Sequence, residues 1–320
     1  MIISQKKEFI FTDKPTPNCH ASTVLPLDNG SVLAAWFAGT EEGKDDVDIM
    51  TCVRTDKGWQ KPVRISADPN IPHWNPVLFQ KQNGEIILFF KVGKKISEWQ
   101  TYFCLSDDGI SWSAPQELVP GDTSDGRGPV KNKPIRLSDG RVLAPASDER
   151  NKHWCAFVDI SDDDCKTWRR IKNICTPSFF KFYVPMIQPT LWESEKGHVH
   201  MLTRTRVGKI YRSDSFDNGE TWCKAYSTKM PNNNSGIDLV RVDDGRLFLV
   251  CNPVSEDWGA RTPLELFVST DNGKSFSKVL CLEDKKGEFS YPAITVKNNT
   301  LHITYTYNRE YIVYWQVEIK

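Results

Sequence analysis

The sequence predicts an all-β chain folded as a six-bladed β-propeller of four-stranded antiparallel blades. Two interleaved repeats and the near absence of helix-period patterns predict it. The first repeat is an aromatic-ended turn close to S-x-D-x-G-x-T-W. It reads Ser215-Phe216-Asp217-Asn218-Gly219-Glu220-Thr221-Trp222 and Ser269-Thr270-Asp271-Asn272-Gly273-Lys274-Ser275-Phe276. Weaker copies run from Ser161 to Trp168, with Cys165 in the glycine position, and from Leu105 to Trp112; a shortened one is Asp56-Lys57-Gly58-Trp59. The closing aromatics fall at Trp59, Trp112, Trp168, Trp222 and Phe276, a period of about 54 residues. Repeats of that length belong to propellers or solenoids.

The second repeat counts the units. Turns at Asn29-Gly30, Asn83-Gly84, Asp139-Gly140, Lys196-Gly197, Asp244-Gly245 and Asn298-Asn299 each separate two β-rich runs. Residues tolerant of positive φ between such runs mark hairpins. Val32 to Trp36, Ile86 to Phe90 and Leu247 to Val250 are second runs of these hairpins, and their unbroken apolar character suits strands covered on both faces. Six hairpins, with an aromatic-ended turn after all but the last, give six sheets. Radial closure then leaves only short, protected edges.

Composition narrows the function classes. Residues 1–320 read as a single domain, since the repeats span nearly all of them. Hydrophobic residues make up 39%, with 11 Trp and 16 Phe, enough for a large core. Forty-one basic residues balance 41 acidic ones, which leaves no electrostatic footprint for nucleic acid or an acidic membrane. The opening residues hold no signal-peptide core, and no segment is long enough to span a bilayer. Nine scattered cysteines without a Cys-x-x-Cys pair read as reduced thiols of a cytoplasmic protein. No His, Cys or carboxylate cluster has metal-ligand spacing, so neither a metal nor a cofactor is expected.

Strand order locates the active face. The chain goes out along strand one, turns at the Gly or Asn pair, returns along strand two, crosses to strand three and turns at the aromatic-ended motif. Both tight turns therefore lie on one face, and Asp217 and Asp271 are expected to cap their own turns there. The opposite rim collects the loops that carry function in such scaffolds. Starts of inner strands place His20, Asn75, Asn132, Lys133, Gln188, Asp238 and Tyr291 there. Ends of second strands add Glu42, Asp45, Asp46, Glu149, Arg204, Arg206, Arg261 and Arg309. Converging arginines suit a carboxylate, which the guanidinium fork grips through two hydrogen bonds. Trp and Asn suit a sugar, with its apolar ring faces and hydroxyl edges.

Carried by these rim stretches, the chain resembles the sialidase superfamily, and within it the bacterial branch of BNR-repeat, sialidase-like proteins. The matching stretches include His20-Ala21-Ser22-Thr23, Ala35 to Gly43 with Asp46-Val47, Lys131 to Ile135 and Gln188-Pro189. Asn234 to Asp238, Arg261 to Leu264 and Ser290-Tyr291-Pro292 complete them. The resemblance implies three arginines for a substrate carboxylate, an aspartate acid/base and a tyrosine nucleophile helped by a glutamate. Arg204 and Arg261 match two of the arginines, Tyr291 the nucleophile, and Asp46 or Asp45 the acid. His20 stands where the first arginine is expected, and Gln188 where the glutamate is.

The expected activity is an exo-acting glycoside hydrolase cleaving a terminal, anionic sugar. Asp46, Tyr291, His20 and Gln188 would do the chemistry, with Arg204, Arg261, Arg206, Asn75, Asn132, Lys133 and Asp238 holding the carbohydrate. A polysaccharide lyase acting on a uronic-acid glycan and a non-catalytic glycan-binding propeller are the alternatives.

Overall fold

The hairpin turns form where the sequence supplies residues that tolerate a left-handed backbone. Gly30, Gly84, Gly140, Gly197 and Gly245 all take positive φ, and Asn298 and Asn299 do so in the sixth turn. In the computed structural model, which describes residues 1–122, 126–150, 154–176 and 183–320, these turns build six antiparallel sheets. The first three run Asn18–Pro26 to Val63–Ile65, His73–Gln80 to Gln116–Glu117, and Ile135–Arg136 to Arg169–Arg170. The next two run Met186–Glu195 to Tyr226–Pro231 and Asp238–Arg241 to Ser277–Glu283. Phe289–Lys297, Thr300–Tyr307 and Tyr311–Ile319 form the sixth, and Ile2–Phe9 supplies its outer strand by pairing with Tyr311–Ile319. This is the six-bladed propeller the repeats predict, closed by its own N-terminal strand.

Apolar residues of neighbouring blades pack into the wedges between them. Phe37, Ile49, Leu88 and Phe90 share one cluster across the first two blades, and Phe248, Leu266, Ile303 and Tyr305 another across the last two. The aromatic-ended turns cap themselves on the far face. In the fourth blade Asp217 accepts from the Thr221 N–H at 2.9 Å, and the Ser215 hydroxyl accepts from the Gly219 N–H at 2.9 Å. Asp271 makes the same contacts with Ser275 and lies at about 2, held there first by the Ser275 hydroxyl. Both aspartates are structural.

A third repeat appears in the innermost strands. The pairing slips between His20 and Thr23, Trp74 and Val77, Ile187 and Thr190, and Ser290 and Ala293. Each slip holds a non-glycine residue at positive φ: Ala21, Asn75, Gln188 and Tyr291. Such backbone costs about 1–3 kcal/mol per residue, and bulges of this kind re-aim a side chain beside a site. Pro76, Pro189 and Pro292 follow three of them, where a missing N–H does no harm.

Candidate active site

The bulge in the last blade presents Tyr291 to side chains from four other blades. Arg204, at the end of His198–Thr205, is buried; its Nη1 donates to the Tyr291 phenol oxygen at 2.8 Å and to Gln188 Oε1 at 3.0 Å. Its Nε donates to Asn234 Oδ1 at 3.1 Å. The guanidinium carbons of Arg204 and Arg261 lie 5.7 and 5.6 Å from the Tyr291 ring centre, and the Lys131 amine 5.9 Å. The His20 ring packs 4.3 Å from it. The structure brings Arg204, Arg261, Tyr291, Gln188 and His20 together.

A further arginine joins this group. Arg309, in the turn after Thr300–Tyr307, donates to Glu288 at 3.0 Å, and Glu288 also receives Arg261 at 2.8 Å. Arg309 also pairs with Glu42. Two arginines and a lysine thus surround one tyrosine, and Glu288 ties Arg309 to Arg261, a field suited to an anion.

The cations and the burial set protonation. The His20 pKa is pushed well below its usual value, first by burial and then by Arg309, Arg261, Lys131 and Arg204. The imidazole is neutral at neutral pH, and its Nδ1 is buried without a hydrogen bond. Burial brings Lys131 down to about 7, against the pull of Asp238. Its ammonium donates to Asn132 Oδ1 at 2.9 Å, to the Ile237 carbonyl at 3.3 Å and to the Pro292 carbonyl. The last contact pins the bulge that carries Tyr291. Burial also raises Glu149 to about 7, with Arg204 and Lys91 opposing, and one of its carboxyl oxygens is buried without a partner.

Other expected ligands are used up within the protein. The Asp238 carboxylate receives Lys133 at 3.0 Å, the Thr190 hydroxyl at 2.8 Å and the N–H groups of Leu239 and Ile294 at 2.9 Å each. With four donors on two oxygens it ties blades together and has no lone pair left for a sugar hydroxyl; Lys133 is its partner. Asn132 is equally occupied, its amide N–H groups donating to the carbonyls of Gln188 and Pro189 and its oxygen accepting from Lys131. Inner strands crowd near the axis, so polar groups there turn to the neighbouring blade rather than to the opening. Arg206 pairs with Asp257 at 3.2 Å on the exposed rim. Asn75 sits at its bulge, buried, and no hydrogen bond joins its side chain to another of the described residues.

Asp46 lies in the loop 40–46. It is exposed, and its two oxygens accept the N–H and the hydroxyl of Thr40 at 2.9 Å each, which closes the loop 40–46. From the same loop, Asp45 pairs with Lys94 and Glu42 reaches Arg309. Among the described contacts, Glu42 is what joins this loop to the arginines. Sequence reasoning placed Arg309, Lys131 and Glu149 on the rim without choosing them. Arg309 ends a second strand as Arg204 does, a parity that could have singled it out. Among the described residues, no three His, Cys, Asp or Glu side chains gather as a metal ligand set.

Solved structures share this architecture. A Hadza microbial sialidase superposes with a TM-score of 0.78 at 17% identity, over 94% of this chain and 65% of the other. A Dyadobacter fermentans protein of unknown function gives 0.77 at 17% identity, with 98% of each chain covered. The NanB sialidase of Streptococcus pneumoniae gives 0.75 at 16% identity, over 98% of this chain and 70% of the other. The chain thus spans just under two thirds of the Hadza enzyme and nearly all of the Dyadobacter protein. The likeness establishes a sialidase-like fold. The BNR repeat-like domain model matches residues 30–303, and the chain belongs to that family.

Proposed function

We propose that the protein is an exo-acting glycoside hydrolase of the sialidase-like type, removing a terminal anionic sugar from a glycan. The observation that supports this best is Arg204 donating to the Tyr291 hydroxyl at 2.8 Å, with Arg261, Lys131 and His20 around the same ring. Arg204, Arg261 and Arg309 form the anion-holding side, and the sugar ring lies with its anomeric carbon toward Tyr291. Glu149 fits the proton donor better than Asp46: at about 7 it holds its proton near neutral pH, as an acid for a leaving glycosidic oxygen must. Gln188 accepts from Arg204 and cannot take a proton. The neutral imidazole of His20 is the remaining acceptor beside Tyr291, for the proton of the phenol or of an attacking water.

Attack by Tyr291 gives a covalent glycosyl intermediate and retained configuration; attack by water inverts it. A panel of aryl sialosides, uronides and rhamnosides tests the reading, with the first-formed anomer followed by NMR. Release of one anionic sugar, lost in Tyr291→Phe and Arg204→Lys, is the expected result. A panel silent throughout, together with no terminal sugar released from natural glycans, overturns it.

That Tyr291 has no carboxylate contact among the described residues, with neutral His20 packed against it, favours a lyase on uronic-acid glycans as the second reading. There an arginine neutralises the uronate and His20 or Tyr291 removes the adjacent proton. Ultraviolet absorption by an unsaturated uronate product separates the two reactions.

A further inference from the structure

Away from the Tyr291 group, the third blade brings two cysteines face to face. Ala156 pairs with Ile174 in an isolated antiparallel bridge, the Ile174 N–H donating to the Ala156 carbonyl at 2.8 Å. That register sets Cys155 directly opposite Cys175 in the adjoining pair. Their sulfurs lie 3.3 Å apart, and among the described residues no other two cysteine sulfurs are in contact. A facing pair without mutual hydrogen bonds brings its Cα atoms to about 4.5 Å, within the roughly 4.4–6.8 Å that a disulfide spans. Closing the bond asks the sulfurs to approach by about 1.3 Å, to the ordinary S–S length of about 2.05 Å. Side-chain rotation can supply this without moving a strand.

We propose that Cys155 and Cys175 form a redox pair, an oxidation site at which peroxide closes an intramolecular disulfide between the strand Cys155–Ser161 and the segment 171–176. Cys175 is exposed and Cys155 buried, 8% accessible, so the two sulfurs divide the work. The Cys175 thiolate attacks one oxygen of hydrogen peroxide; the O–O bond breaks, hydroxide leaves, and Cys175 becomes a sulfenic acid. The Cys155 sulfur then attacks the Cys175 sulfur, its proton joining the departing hydroxyl as water. Two thiols are oxidised by two electrons and one peroxide is reduced to two waters. The hydrogen bond from the Cys155 thiol brings Cys175 down to about 7, which supplies thiolate at neutral pH. The same contact raises Cys155, as the resolving partner.

The surroundings support closure over further oxidation. Asn173 donates to Asp148 at 3.3 Å and Arg170 to the same carboxylate at 3.4 Å, so the segment is already drawn onto the end of Val142–Asp148. The resolving sulfur is therefore at hand when the sulfenic acid forms. The tie lies beside the part of the rim that continues into Glu149.

Peptide mass spectrometry without reduction, after hydrogen peroxide and alkylation of remaining thiols, tests the pair in the intact protein. The expected product is one cross-linked peptide joining Cys155 to Cys175, with the mass of two hydrogens lost and restored by dithiothreitol. Cys223, also exposed but with no cysteine sulfur in contact among the described residues, serves as the internal comparison and should stay alkylatable. In Cys155→Ser the same dose should leave Cys175 as a dimedone-reactive sulfenic acid or its overoxidised products. Slowed amide exchange over 171–176 in the oxidised wild type would report the tie independently. Recovery of wild-type Cys175 as sulfinic acid with no bridge, or oxidation of Cys223 ahead of it, overturns the proposal. None of these readouts depends on glycosidase activity.

Discussion

At the scale of single residues, the Tyr291 hydroxyl and the Glu149 carboxyl give the sharpest predictions. Tyr291→Phe removes one oxygen, while Arg204 keeps Gln188 and Asn234. The fold should hold, and kcat/KM on the responsive glycoside should fall by about 100-fold or more, the scale of losing a positioned nucleophile or proton-transfer group. A thermal melt within a few degrees of the wild type, beside that loss, separates chemistry from folding; unchanged kcat/KM removes Tyr291 from the reaction. Glu149 gives the pH dependence. Its folded value of about 7 lies above its usual 4.5, so the proton needed by an acid is lost as pH rises through about 7, and activity should fall over that range. Glu149→Gln should be weakly active and should flatten this limb. Stability follows with its own sign. A carboxyl raised by folding is neutral in both states below its unfolded value, so its penalty grows between about 4.5 and 7 and is constant above. Glu149→Gln should therefore raise the melting temperature more at pH 8 than at pH 5. An equal shift at both pH values contradicts the buried, protonated carboxyl.

Turns and bulges are the elements that divide stability from function. Asp217→Ala removes acceptors for the Thr221 N–H and hydroxyl and for the Ser215 hydroxyl on the face away from Tyr291. It should cost about 1–3 kcal/mol in chemical denaturation and leave KM unchanged; a changed KM would mean the two faces are coupled. Lys131→Met acts on the other face. It removes the donor that holds the Pro292 carbonyl, so it should lower activity with less loss of stability than its three contacts suggest, since burial already opposes its charge. The turns were legible in the sequence because their chemistry is local: the aspartate, the glycine and the aromatic lie within eight residues. The bulges were not read, although Asn75-Pro76, Gln188-Pro189 and Tyr291-Pro292 mark three of them. A left-handed non-glycine residue leaves little trace in a hydrophobic pattern. Tyr291, Arg204 and Arg261 could be placed by strand parity alone. Whether Asp238 and Asn132 turn to the axis or to a neighbouring blade, and whether Glu149 keeps its proton, depends on packing among blades distant in sequence.

At the scale of the whole molecule, closure of the ring and integrity of the site are one problem. The closing strand Ile2–Phe9 has no apolar run to announce it; six of its eight residues are exposed, so its role comes from pairing with Tyr311–Ile319 over nearly its full length. Phe9 packs edge-on at 5.4 Å against Tyr307 and Tyr311, and Lys7 pairs with Glu283 of the fifth blade. The same seam carries His20 and Arg309: the Cys19 N–H donates to the Arg309 carbonyl at 2.7 Å, and the Ala21 N–H to the Thr306 hydroxyl at 3.2 Å. First and last blades therefore meet where the imidazole faces Tyr291. Removing residues 1–9 leaves Tyr311–Ile319 as an open edge, a template for pairing with a second chain. The truncated protein should melt well below the wild type, associate as its concentration rises, and lose activity more steeply than stability as the seam loosens. Size-exclusion chromatography across a concentration series, with melting and kcat/KM on the same samples, checks all three. A truncated chain that stays monomeric with wild-type melting and turnover would show that the seam at Cys19, Ala21 and Arg309 closes the ring without the outer strand.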